Sequence, residues 1–195
     1  QGSGHRRETK TGEGDKREEP HRGVEGEPMT PLKTYREKRD FKKTTEPKGG
    51  QKRKTKKTIF VVQQHAARSN HFDFRLEMGD VLKSWAVPKG IPTEIAEKHL
   101  AVETEDHPMD YASFEGKIPK GEYGAGKVKI WDKGDYRNIR KLSIKESYEN
   151  GQIEVALNGR RLKGRYALIR TKFNNNPKNW LLIKMREDKY TFENG

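Results

Sequence analysis

A chain of 195 residues is long enough for one domain of ordinary size with a tail, and too short for two full domains. Its formal net charge of +13, with 36% charged and only 30% hydrophobic residues, favours a polyanionic partner such as nucleic acid. A basic surface kept for solubility accounts for the charge equally well. The absence of cysteine excludes disulfides and thiolate metal sites, which fits a reducing cytoplasm.

No run approaches the length of a membrane span, and the N-terminus has no apolar signal core, so a cytoplasmic protein without membrane contact is expected. Residues 1–32 are mostly Gly, Glu, Lys, Arg and Pro, too few of them apolar to offset the entropy of ordering, and read as a disordered basic tail. Residues 33–58 differ, because Tyr35 and Phe41 sit among charges. That composition suits an arm that docks on a domain without a core of its own. Pro47-Lys48-Gly49-Gly50 interrupts the arm, and a basic run from Lys52 to Lys57 follows as a linker.

The domain proper, residues 59–190, reads as strands. Ile59 to Gln64 is a β-branched apolar run, and His71 to Glu77 alternates strictly. Gly79-Asp80 is a tight hairpin signal before Val81–Val87, which Pro88-Lys89-Gly90 ends. Further strands are expected at 100–104, 126–131, 152–157, 165–170 and 180–184. Two short helices are expected, at Thr93 to Lys98 and Ser143 to Glu149. Many short strands separated by Gly, Asn and Pro turns indicate an all-β fold, a sandwich or, preferably, a closed barrel that leaves no exposed edges.

Chemistry concentrates in His71-Phe72-Asp73-Phe74-Arg75-Leu76-Glu77. On a strand, Phe72, Phe74 and Leu76 share one face, and His71, Asp73, Arg75 and Glu77 share the other, with same-face neighbours about 6.5–7 Å apart. His65, six residues upstream, lies at the end of the preceding strand, and residues 66–70 are enough to turn back. Two imidazoles and a carboxylate suit a catalytic divalent transition metal such as Mn²⁺ or Zn²⁺ better than Ca²⁺. The plainer alternative is a polar strand face with two unrelated histidines.

Arg75 on that face suits an anionic substrate or, more plainly, a salt bridge to Glu77 or Glu103. His107 and Tyr111 lie in a loop that displays groups able to donate hydrogen bonds or protons to a phosphate. The bland reading is a turn in which Asp106 orients His107 and Tyr111 is half-buried. The glycine-rich stretch Pro119 to Gly126 has no helix after it and reads as a turn rather than a nucleotide site. No Gly-x-Ser-x-Gly or cysteine nucleophile supports a covalent mechanism.

Several stretches resemble one family. Gln64-His65, the strand from His71 to Glu77, and Leu82-Lys83-Ser84-Trp85-Ala86-Val87-Pro88-Lys89-Gly90 are similar to the phosphoesterase module of bacterial ligase D. So are Glu105-Asp106-His107-Pro108, Asp110-Tyr111, and the run from Phe114 to Gly126. The similarity spans about residues 35–131 and, more loosely, reaches Lys184. It implies a β-barrel with a crescent-shaped groove and a Mn²⁺-type ion, with Zn²⁺ or Co²⁺ as alternatives, where His65, His71 and Asp73 stand.

The resemblance also implies a 3′-end-healing activity in non-homologous end joining. A terminal ribonucleoside is removed to leave a 3′-phosphate, and that phosphate is then removed to leave a 3′-hydroxyl. Arg75, Lys89, His107 and Tyr111, with Arg39, Asp40 and Glu46 of the arm, match phosphate-handling positions. The partners implied are DNA or RNA-tipped DNA 3′ ends of a primer-template, and a separate ligase, polymerase and end-binding protein. One position departs from the pattern: Lys98-His99 stands where such modules carry an arginine. Two other readings compete, a non-catalytic end-binding module with a structural metal and a small-molecule phosphatase.

Overall fold

The computed structural model describes residues 31–50 and 57–187. The expected tail, apart from residues 31 and 32, lies outside these residues, as do Lys52, Arg53, Lys54 and Lys56 of the basic run. The chain begins with a one-turn helix, α1 (Lys33–Glu37), whose Tyr35 is fully buried. Three strands follow in an antiparallel meander: β1 (Ile59–Ala66), β2 (His71–Met78) and β3 (Val81–Val87). Gly79, at φ 63°, makes the β2–β3 turn that its Gly-Asp pair predicts.

After β4 (Lys98–Glu103) come two short strands, β5 (His107–Pro108) and β6 (Gly116–Ile118), joined through a 3₁₀ turn at Met109–Ser113. The long β7 (Gly126–Asn138), the helix α2 (Ile144–Glu149), β8 (Gln152–Gly159), β9 (Lys163–Arg170) and β10 (Asn179–Lys184) complete the fold. Strand order is β1-β2-β3-β4-β10-β9-β8-β7, and β7 pairs back with β1, so eight antiparallel strands close into a barrel. β5 attaches to β3, and β6 to β7. The all-β barrel expected from the turn-punctuated strands is the fold observed. Among the described residues no helix is long and apolar enough to cross a membrane.

The lumen is filled by side chains from all eight barrel strands. Phe60, Phe74, Trp85, Ile153, Tyr166 and Trp180 are all at most 1% exposed. Each such side chain contributes about 1.5–3 kcal/mol on burial, so the barrel is a packed core and not a channel. A second apolar cluster lies on the outside of the barrel wall. There Val61, Leu82 and Val128 are covered by Tyr35 of the arm and by Met109, Tyr111 and Phe114 of the segment between β4 and β7.

Two local expectations are corrected. Thr93 to Lys98 is not a helix. The Glu97 carboxylate accepts hydrogen bonds from the Thr93 and Glu94 amides, Ala96 takes a left-handed φ of 68°, and Ala96 and Glu97 pair by backbone with Lys184. The segment is a turn leading into β4, because pairing with β10 supplies hydrogen bonds that one isolated helical turn cannot match. Strand β7 runs seven residues beyond the expected end at Trp131. A bulge opposite Val62 and Gln63 reverses the side-chain alternation, so Val128 and Ile130 face outward while Tyr136 faces the lumen. Ser143 to Glu149 is helical as expected, started by a capping box between Ser143 and Glu146.

Candidate metal and phosphate site

The alternation of β2 decides where the site lies. Phe72, Phe74 and Leu76 turn to the lumen, so His71, Asp73 and Arg75 stand on the outer wall. Register extends that face sideways: His65 pairs with His71, Gln63 with Asp73, and Val61 with Arg75. Across β3, Ser84 is opposite Arg75 and Ala86 opposite Asp73, and His107 of β5 is opposite Leu82. The arm and the loops around β5 and β6 wall this patch into a cleft of about 280 Å³, lined by Arg39, Glu46, His65, His71, Asp73, Arg75, Glu105, His107, Tyr111 and Tyr123 among others.

At one end His65, His71 and Asp73 bring one ligand atom each to within 4.8 Å of one another. His65 Nδ1 is 3.6 Å from Asp73 Oδ2, and His71 Nε2 is 3.5 Å from Asp73 Oδ1. Donors at about 2.1 Å from a shared ion and at tetrahedral angles stand roughly 3.4 Å apart, so these separations fit a metal better than direct hydrogen bonds. The far ring nitrogens agree. His65 Nε2 is 2.8 Å from the Gly124 carbonyl, and His71 Nδ1 is 2.9 Å from the Ser69 carbonyl. Donating to those carbonyls fixes both tautomers and turns an unprotonated nitrogen of each ring toward Asp73, the arrangement of metal-binding histidines.

Gly126, at φ 146°, lets β7 start against β1 beside this cluster. A Cβ there would meet the Ala66 carbonyl oxygen at 2.4 Å.

Charge in the cluster is strongly coupled. Burial alone would raise the Asp73 carboxyl, but the Arg75 guanidinium and the two adjacent imidazoles outweigh it and hold the group well below the ordinary carboxylate range. The neighbouring Asp73 carboxylate in turn raises His71. Asp73 is therefore an anion at neutral pH, as a metal ligand must be.

The rest of the cleft is a network centred on two guanidiniums. Arg75 donates from Nε to Gln63 (2.8 Å) and from Nη2 to Asp73 (3.1 Å), and its Nη1 is 3.0 Å from His107 Nδ1. Of its five N–H groups, one on each terminal nitrogen is left for an anion in the cleft. Arg39 reaches in from the arm, donating to Glu46 (2.9 Å) and Glu105 (3.1 Å), with Nη2 3.3 Å from His107 Nε2. Glu46 also accepts from the Tyr111 hydroxyl and from Thr44. His107 thus faces a guanidinium at each ring nitrogen. Burial, then Arg75 and Arg39, push it well below its ordinary value, so the ring is neutral at neutral pH. Burial foremost raises the Tyr111 phenol, which stays protonated.

Of the residues singled out from sequence, His65, His71, Asp73, Arg75, His107, Tyr111, Arg39 and Glu46 line one cleft. Lys89 and Asp40 do not line it. Lys89 is exposed on the turn after β3, and Asp40 ion-pairs with Lys43 and accepts from the Lys42 amide. His99 is held locally by the Gly90 carbonyl (2.7 Å) and Glu97 (3.0 Å). The plainer partners also fall away: Asp106 pairs with Lys83, and Tyr111 is buried.

Sequence reasoning missed Gln63, Glu105 and Tyr123. Gln63 carried a usable signal, since it precedes His65 by two residues on the same face. Glu105 and Tyr123 carried none, because their roles depend on contacts with the distant arm.

Residues 63–170 match the family model described as the DNA ligase D 3′-phosphoesterase domain. The chain is also similar to multifunctional non-homologous end joining LigD proteins. It is 46% identical over 159 residues to that of Pseudomonas aeruginosa, covering 80% of this chain and 19% of the relative. Against that of Mycolicibacterium smegmatis it is 49% identical over 164 residues, covering 81% and 21%. Against the DNA repair protein of Mycobacterium tuberculosis it is 48% identical over 165 residues, covering 83% and 21%. The chain therefore spans about a fifth of the length of these relatives.

Proposed function

The chain belongs to the DNA ligase D 3′-phosphoesterase family, and on that premise we propose that it hydrolyses phosphate esters at nucleic-acid 3′ ends during end-joining repair. The observation that carries the reading is the shared outer face of β2. It sets a two-histidine, one-carboxylate cluster beside a buried guanidinium that lies 3.1 Å from that carboxylate. Such a pairing offers adjacent positive charges for one phosphate.

His65, His71 and Asp73 are the residues that hold a divalent ion, Mn²⁺ by family resemblance, with Zn²⁺ or Co²⁺ as alternatives. When bound, the ion supplies Lewis-acid charge to the phosphorus oxygens. Arg75 turns its two remaining N–H groups to the same phosphate. Arg39 and Glu46 tie the arm over the cleft, with Tyr111 donating to Glu46. A neutral His107 between two guanidiniums is suited to positioning them. It is poorly suited to protonating a leaving oxygen, since its own protonation is disfavoured. Lys89 adds exposed positive charge outside the cleft, and Asp40 shapes the arm through its turn.

The first reaction breaks the bond from phosphorus to the 5′-oxygen of the terminal ribonucleoside, with water supplying the hydroxyl and the proton, and leaves a 3′-phosphate. The second breaks the bond from phosphorus to the 3′-oxygen, with a second water supplying the hydroxyl to phosphorus and the proton to that oxygen, and releases phosphate and a 3′-hydroxyl. The same proposal has end-joining repair supply such ends, with a separate ligase, polymerase and end-binding protein acting beside this chain, a reading that the end-joining names of its relatives support.

The test is a labelled primer-template ending in one ribonucleotide, incubated with and without Mn²⁺. Stepwise appearance of 3′-phosphate and then 3′-hydroxyl products, with metal alone, is expected. A primer that is bound but stays intact with every divalent metal overturns the reading in favour of a non-catalytic end-binding module.

A further inference from the structure

Tyr123 is 47% exposed and lines the cleft, whereas the cleft's other tyrosine, Tyr111, is 2% exposed. The ring lies beside the Lys38 and Arg39 cations, yet nearly half of the residue stays open at the edge of an otherwise charged cleft. Its setting is nevertheless fixed. Glu122 and Ala125 bond back to Pro119 and Glu122 through their amides, and the next residue, Gly124, gives its carbonyl to His65 Nε2 at 2.8 Å. Tyr123 is therefore held one residue from the group that orients a metal-cluster histidine. The Lys38 ammonium lies 4.6 Å from its ring centroid and 3.3 Å from its hydroxyl. Lys38 does not depend on the tyrosine for its place, because it also pairs with Glu105 at 3.2 Å.

We propose that Tyr123 is the platform on which the base of the terminal nucleotide stacks when a 3′ end enters the cleft, an inference that rests on the 3′-end reading above. The cleft's charged groups handle phosphate and are largely committed to one another: Arg39 to Glu46 and Glu105, Arg75 to Asp73 and Gln63. The two N–H groups left on Arg75 serve the phosphate, so recognition of the base falls to another group. An aromatic face accepts any of the four bases, because each presents a π surface. That tolerance is what processing of broken ends of arbitrary sequence needs. The Lys38 ammonium beside the ring adds positive charge for the backbone of the same nucleotide.

The measurement is the affinity, by fluorescence anisotropy, for a duplex with a one-deoxynucleotide 3′-hydroxyl overhang, a product-like end without the ribonucleoside that the first reaction removes. Two overhangs are compared, one with a base and one abasic. The intact-base end is expected to bind wild type about 5- to 150-fold more tightly than the abasic end, the range that stacking on an aromatic supplies. Tyr123→Ala is expected to abolish that preference, and Tyr123→Phe, which keeps the ring and loses the hydroxyl, to retain it. Equal preference in wild type and Tyr123→Ala, or no preference in wild type, overturns the proposal. A preference lost in Tyr123→Ala while the wild type converts no 3′ end keeps the platform and removes the phosphoesterase reading, so the two failures are distinguishable.

Discussion

Arg39 stands with Nη2 3.3 Å from Nε2 of His107, although the two residues are 68 apart in sequence and come from the arm and from β5. The contact belongs to a buried set in which Arg39 also holds Glu46 and Glu105, with side chains no more than 4% exposed. Removing the guanidinium leaves two buried carboxylates without their principal cation. Breaking one partner of such a pair costs about 3–5 kcal/mol. Arg39→Ala is therefore expected to lower unfolding stability by about that much and to release the arm from the barrel wall. Denaturant titration measures the first effect, and proteolysis within residues 38–48 the second. A variant as stable and as protected as wild type contradicts the arm's role.

A metal held by His65, His71 and Asp73 binds the folded chain and not the unfolded one, so it stabilises by mass action. At a hundredfold excess over the dissociation constant the gain is about 2.7 kcal/mol, a rise in melting temperature of several degrees for a domain of this size. Mn²⁺ should raise the melting temperature of wild type and leave His71→Ala and Asp73→Asn unmoved. Equal shifts in all three proteins place the ion elsewhere.

Much of this was legible in the sequence because β2 writes its two faces in strict alternation. Phe72, Phe74 and Leu76 could only go inward, which left His71, Asp73 and Arg75 together. The second half of β7 was not legible. Asp132 to Asp135 look like a loop, but the bulge changes their facing, and Asp132 turns its carboxylate to the amides of residues 160–162 at the β8–β9 turn. The expected helix at 93–98 failed for a related reason: local propensity lost to the pairing of Ala96 and Glu97 with Lys184 at the end of β10, far away in sequence. Arg39, Asp40 and Glu46 entered the sequence reading through family resemblance alone, and the structure draws two of the three into the cleft.

Acid should destabilise the metal-free protein in two stages. His107 is a base depressed on folding. The unfolded chain therefore takes up its proton first as pH falls through the ordinary value of 6.5, and stability declines from there. Burial alone would raise Glu105, but its hydrogen bonds, Arg39 and Lys38 lower it below 4.5. Its ion pairs contribute fully above that pH and are lost as pH falls further. His71, raised by Asp73, acts in the opposite sense, stabilising below 6.5. Comparing wild type with His107→Gln cancels the His71 contribution. Unfolding free energy should fall more steeply between pH 7 and 5 in wild type than in the variant, and identical slopes would count against a neutral His107.

Gln63 tests whether the cleft is held by residues that never touch a substrate. It is fully buried, donates to the Tyr111 and Phe114 carbonyls at 3.0 and 2.9 Å, and accepts from Arg75 Nε at 2.8 Å. It thereby fixes the 3₁₀ turn that carries Tyr111 and sets the plane of the guanidinium. Gln63→Ala leaves these three groups without their partner, at about 1–3 kcal/mol for each that water cannot reach. Gln63→Glu keeps the acceptor for Arg75 but sets carboxylate oxygen against two carbonyls, so it should restore Arg75's orientation and not the turn. The expectation is a stability loss in both variants, with 3′-phosphate hydrolysis better preserved in Gln63→Glu than in Gln63→Ala. If the two variants lose activity equally, the Arg75 bond is not what Gln63 contributes, and placement of the Tyr111 turn becomes its whole role.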